Sequence, residues 1–165
     1  MRAGLPNQSN RWGASCWFCL AIALALTACA RQTSPEDEIR ALIARAVTAA
    51  EARQAGDLRA LIADDYADAQ GLDRKAVENL IRLHILRQQS IHLFVRVRDI
   101  QFPESNRALA SVAAAMAGRP VARADELAGL SADLYRFELE LSRQGRNEWK
   151  VRRAAWEPAR LDDFW

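Results

Sequence analysis

The spacing of the apolar residues changes once along this chain, and that change restricts the fold more than any other feature. Before Gln89 the apolar positions recur at helical intervals; from Ile91 they alternate. Ile39, Leu42, Ile43, Ala46, Val47 and Ala50 mark a first helix. It opens on Ser34-Pro35-Glu36-Asp37: a hydroxyl N-cap, a proline at the first helical position, and acids facing the positive end of the helix dipole. Gly56 is its expected stop. Asp57 is then expected to cap a shorter group, Leu58, Leu61 and Ile62, and Gly71-Leu72-Asp73 introduces a third helix with Val77, Leu80, Ile81 and Leu83 to Leu86.

In the second half Ile91, Leu93, Val95 and Val97 alternate with His92, Phe94, Arg96 and Arg98, a strand with one apolar and one largely basic face. Tyr135, Phe137, Leu139 and Leu141 repeat the pattern against Arg136, Glu138, Glu140 and Ser142. Gln144 to Asn147 reads as a hairpin turn leading into an antiparallel partner, Glu148 to Trp156. Arg107 to Gly118 favours helix by its alanine content, yet it lies between strands and sets Ala108, Ala110, Val112, Ala114 and Met116 on one face, so it is read as a strand. Arg119 to Gly129 is read as an extended loop with a helical turn near Asp125. Helices first and strands afterwards give an α+β domain, with three N-terminal helices packed on an antiparallel sheet.

The first thirty residues belong to a different kind of segment. Arg2 and Arg11 precede an uncharged apolar run from Trp12 to Leu26. At about 15 residues the run is short of the ~20 that a spanning helix needs and matches a signal peptide. It ends in Leu26-Thr27-Ala28-Cys29, which resembles the bacterial lipoprotein processing signal, in which the cysteine is lipidated and becomes the new N-terminus. The expected organisation is a signal peptide over 1–28, the lipidated Cys29 and a short tether over 29–35, a folded domain over 36–158 and a tail over 159–165. Cys16 and Cys19 fall inside the discarded segment, so their C-x-x-C spacing carries no redox or metal role. Cleavage removes Arg2 and Arg11 and takes the formal net charge from +2 to zero, too small a positive balance to suggest a nucleic-acid binder. Ala30, rather than Asp, follows the cysteine; by the same resemblance the protein is expected at the periplasmic face of the outer membrane.

Taken in order, several weak motifs resemble the nuclear transport factor 2-like superfamily, also called SnoaL-like. They are the long first helix, Gly56-Asp57-Leu58 with Leu61, Asp64-Asp65-Tyr66 and Gly71, a third helix, Asn106 to Val112 with Ala110, and Gly145 to Val151 with Trp149-Lys150-Val151. The resemblance spans Glu36 to Trp156. It implies a strongly curved sheet that encloses a conical pocket against the helices. That superfamily includes ketosteroid isomerase, scytalone dehydratase and limonene epoxide hydrolase, and also many non-enzymatic binding domains, some of which pair through the open sheet face.

The enzymes of that family place an acid or His base and a Tyr, Asp or Arg partner inside the cone. Asp65 or Asp68 is the candidate base here, with Tyr66 as oxyanion donor. The competing and favoured reading makes Tyr66 a core residue and the acids solvent-facing groups at a helix end. Asp99, unless a bulge or the strand end precedes it, and Arg153 share the parity of the apolar strand positions and are the candidate inward polar groups, while the same count sends Lys150, Arg152 and Trp156 outward. Trp149 and Trp156 are expected to be core and rim packing. Leu161-Asp162-Asp163-Phe164-Trp165 is expected either to cover a sheet edge or pocket mouth or to dock a partner. His84 and His92 have no second ligand at metal-binding spacing, so no metal is expected. Without G-x-G-x-x-G, a P-loop or a G-x-S-x-G elbow, neither a nucleotide cofactor nor an activated serine is expected.

The sequence therefore suggests a lipid-anchored, non-catalytic pocket domain for a small apolar ligand or a protein partner. Its rivals are a cofactor-independent isomerase or dehydratase and a homodimeric interaction module. Cys29→Ala is expected to leave the chain unlabelled by fatty acid and released from the membrane fraction; retention there would identify the apolar run as the anchor.

Overall fold

The structure is a computed structural model that describes residues 33–88, 90–144 and 148–165. The leader and Cys29 lie outside the described residues, as does most of the Gln144 to Asn147 turn. No described helix is long and apolar enough to cross a membrane.

Helix α1 (Pro35–Glu51) starts as the sequence requires, with the Asp37 amide donating to Ser34 Oγ at 3.1 Å. It stops earlier than Gly56. Arg53 takes the left-handed conformation (φ 57°), its amide donates to the Ala50 carbonyl, and the Gln54 amide donates to the Ala49 carbonyl. These two bonds form a Schellman closure built on an arginine instead of a glycine. Gly56 consequently falls inside α2 (Ala55–Ala60), and Asp57 sits in the first turn of that helix rather than at its cap. Helix α3 (Arg74–Arg87) is capped by Asp73, whose carboxylate accepts from the Ala76 amide at 2.8 Å.

Four antiparallel strands follow as a meander in the order β1 (His92–Glu104), β2 (Arg107–Ala117), β3 (Ala132–Gln144) and β4 (Glu148–Pro158). The alanine-rich segment is thus a strand, as its position between strands implies. Bulges lie between Val97 and Asp99, between Gln101 and Glu104, and opposite Glu140 and Leu141 in β4. Each adds a residue to one strand, bends the sheet and reverses side-chain parity beyond it. The free edge of β4 is covered by the segment after α2: the Val151 amide donates to the Leu61 carbonyl, the Ala63 amide to the Val151 carbonyl and the Ala67 amide to the Arg152 carbonyl. At Val151 and Arg152 the β4 edge is thus occupied by its own chain.

The main core lies between α1 and the inner sheet face. Ile39, Leu42 and Ile43 meet Ala108, Ala110, Val112, Leu141 and Trp149. Glu38 fixes the start of α1 to the sheet by accepting from Arg143 Nη2 at 2.7 Å and from Trp149 Nε1 at 2.8 Å. The Arg143 guanidinium also lies 4.7 Å from the centre of the Trp149 ring.

A second cluster sits on the outer sheet face, where Phe164 packs with Ala113, Ala115 and Leu127 and lies 6.2 Å from the Phe94 ring. Short 3₁₀ turns at Ala124–Leu127 and Leu161–Phe164 supply this layer. Arg98 donates to the carbonyls of Asp162, Asp163 and Trp165, and Arg136 pairs with Asp163 at 3.4 Å. The C-terminal segment therefore packs on the outer face of the sheet, with only Trp165 largely exposed among its aromatic residues.

Candidate functional site

Between α3 and the inner face of the sheet is a cavity of about 320 Å³. One wall comes from α3, where Val77, Ile81, His84 and Ile85 recur at helical spacing and leave Leu83 and Leu86 exposed on the other side. Ala50 and Leu58 close one end. The opposing wall is the inner sheet face, with Leu93, Ala114 and Met116 beside Tyr135, Phe137, Ala154 and Trp156. These positions are cross-strand neighbours: Leu93 pairs with Met116, Ala114 with Tyr135, and Phe137 with Trp156. On the central strand β2 the lining residues are Ala114 and Met116. Among the described residues no Asp, Glu, Lys or Arg lines it.

The acidic cluster singled out by sequence stands elsewhere. Asp65 is exposed, pairs with Arg152 at 3.1 Å and accepts from Gln144 Nε2 at 2.6 Å. Tyr66 is buried with Ile62 and Val77, and its hydroxyl donates to Asp68 Oδ2 at 3.0 Å. The other Asp68 oxygen accepts from the Gln70 and Leu72 amides, both at 2.9 Å, which shapes the loop leading into α3. None of the three side chains lines the cone. Burial pushes the Tyr66 phenol well above the ordinary tyrosine range, and its hydrogen bond to the Asp68 carboxylate pushes the same way. A larger open depression at the start of α3 does include Tyr66, but its charges neutralise one another, with Arg74 paired to both Asp64 and Glu78.

Two further expectations are corrected by the bulges. Asp99 lies beyond the irregularity after Val97, faces Ser111 across the ladder and accepts from Gln101 Nε2 at 2.6 Å. Arg153 is opposite Glu140, is exposed, and donates through Nε to the Ala67 carbonyl. The same bulge turns Trp156 into the cone, against the simple count, while Trp149 is a core residue. His84 lies on the cavity face, and its position three and four residues after Ile81 and Leu80 is the sequence signal for it. Among the described residues no group of three or more His, Cys, Asp or Glu side chains is gathered closely enough to hold a metal ion.

No protein-family model and no curated protein matches this sequence. Solved structures do. A ketosteroid isomerase-like protein from Erwinia carotovora atroseptica is 11% identical with a TM-score of 0.56, over 74% of this chain and 94% of that one. The chain has the nuclear transport factor 2-like fold. A nuclear transport factor 2-like protein of unknown function in nutrient uptake from Rhodospirillum rubrum is 19% identical (TM-score 0.56; 74% and 98% of the two chains). A hexachlorocyclohexane dehydrochlorinase from Novosphingobium barchaimii is 16% identical (TM-score 0.57; 76% and 86%). At these identities the likeness establishes architecture and leaves activity to the site itself.

The environment of Tyr66 has a consequence for stability. Its phenol stays protonated in the folded chain at pH values where an unfolded tyrosine, with a pKa of about 10, has ionised, so the folded state holds more protons there and stability falls as pH rises. Denaturant unfolding of the wild type is expected to show stability lost above about pH 10, with a shallower loss in Tyr66→Phe. Equal slopes would mean that Tyr66 is not the group responsible.

Proposed function

We propose that this domain is a non-catalytic binding module, held at the periplasmic side of the envelope by lipid on Cys29, whose cone takes up a small apolar molecule. The observation that carries the reading is the lining of the cavity, which among the described residues is apolar apart from His84, Tyr135 and Trp156 and contains no carboxylate. A proton-transfer enzyme needs a base within hydrogen-bond reach of its substrate, together with a partner for the charge that develops. Asp65 and Asp68, the sequence candidates for that role, are engaged with Arg152 and Gln144 and with Tyr66, Gln70 and Leu72 respectively. An isomerase or dehydratase built on these two carboxylates lacks its convergent pair, so an enzyme reading would rest on His84 and Tyr135, the ionisable residues that do line the cone. A sheet-to-sheet homodimer is also less favoured, since Phe164 and Leu127 already occupy Ala113 and Ala115 on the outer face.

Binding is expected to follow the space at Ala114. The neutral fluorophore N-phenyl-1-naphthylamine should bind the wild-type domain saturably with a blue-shifted emission. Ala114→Phe, which puts a ring into the cavity, should weaken that binding at least tenfold while the circular dichroism spectrum stays unchanged. Equal affinity in the folded variant would place the probe outside the cone and remove the support for this reading.

A further inference from the structure

The outward side of α3 differs in character from its cavity side. Lys75, Asn79, Arg82, Leu83, Leu86 and Arg87 are all exposed, and their spacing sets them in one stripe along the helix. Leu83 and Leu86 are 45% and 63% exposed, so the part of the stripe nearer the end of the helix is apolar and uncovered. Its charges have one sign. Lys75, Arg82 and Arg87 form no ion pair among the described residues, whereas Glu78, the acid of this helix, is paired with Arg74. Arg53, at the left-handed closure of α1, donates through Nη2 to the Ile85 carbonyl at 3.3 Å and so ties the end of α3 that carries Leu86 to α1.

Two exposed leucines beside three cations fit a surface that is anionic on top and apolar beneath, as the head-group region of a bilayer is. Lysine and arginine can lay their stems along such a surface with their charges at the phosphates. A second copy of this chain is a poorer occupant, since two such stripes would set like charges against each other. The reading of Cys29 as lipidated, on which this inference rests only for the nearness of the bilayer, leaves Ala30 to Ser34 before α1, at most about 17 Å of chain. Both α1 and α3 lie on the inner side of the sheet, so tether and stripe belong to one layer of the domain. We propose that the exposed side of α3 docks on the anionic lipid of the leaflet to which the chain is tethered, laying the domain on its helical side.

Ser34–Trp165 is a compact unit that contains the whole described core, so residues 30–165, which include none of the cysteines, test the contact without attached lipid. In cosedimentation the domain is expected to partition onto phosphatidylglycerol vesicles at least about tenfold more strongly than onto phosphatidylcholine vesicles, and to lose that advantage at high salt. Arg82→Gln combined with Arg87→Gln should weaken the partition roughly 25-fold, about fivefold for each cation, and Leu83→Ser combined with Leu86→Ser about tenfold. All four side chains are exposed, so both double variants should keep the circular dichroism spectrum of the wild type. Unchanged partition in the two variants would move the contact off this stripe and overturn the proposal. Failure to bind phosphatidylglycerol, or equal binding to phosphatidylcholine, would overturn anionic lipid as the occupant. A domain that sediments as a dimer and becomes monomeric in the leucine variant would assign the stripe to a second copy and overturn it too. Fatty-acid labelling of the full chain reads Cys29 separately, and N-phenyl-1-naphthylamine in the absence of vesicles reads the cone, so failure here is distinguishable from failure of the anchor or of the cavity.

Discussion

The structure depends on a central strand, β2, that is built largely of alanine on both faces. Ala108 and Ala110 on the inner face of β2 let Ile39, Leu42 and Ile43 of α1 come down onto the sheet, while Ala113 and Ala115 on the outer face receive Phe164 and Leu127. Further along the inner face, Ala114 lines the cone. One strand of small residues thus admits a helix, admits the C-terminal segment and lines a cavity. Larger β-branched residues would give a better intrinsic strand but would occupy these places. Alanine suits this strand for the space it leaves, in spite of its helix preference.

That trade also explains how far the sequence could be read. Alternation over Leu93, Val95 and Val97 and over Tyr135, Phe137, Leu139 and Leu141 was unambiguous because one sheet face is buried and the other carries charge. The caps at Ser34 and Asp73 were legible because each supplies a side-chain acceptor at a fixed offset. The end of α1 was not, since Arg53 occupies a left-handed position usually given to glycine and Gly56 attracted the boundary instead. The destination of Phe164 was equally hidden, because it packs against Phe94 and Ala113, which are distant in sequence.

The site was less legible than the fold, for a reason that is geometrical. A period of two assigns strand residues to faces only until a bulge intervenes, and bulges leave little mark in the sequence. The irregularity after Val97 carries Asp99 to the outer side, and the one in β4 exchanges Arg153 for Trp156. A cone that seemed to hold an acid and an arginine is consequently lined by rings and aliphatic groups. Tyr66 and Asp68 stood out as chemistry because they are close in sequence, yet their hydrogen bond serves to close a loop. His84 and Tyr135, which do line the cone, are interspersed among apolar neighbours and resemble ordinary core positions.

The apolar cavity is the element on which the functional reading rests, and an inert gas probes it without assuming any ligand. Crystals of the domain pressurised with xenon are expected to show the gas between Ala114, Phe137 and Ala154, since dry apolar cavities take up xenon. The same crystals with no xenon in the cone, and with the Leu93 or Met116 side chain turned into that space, would contradict the account.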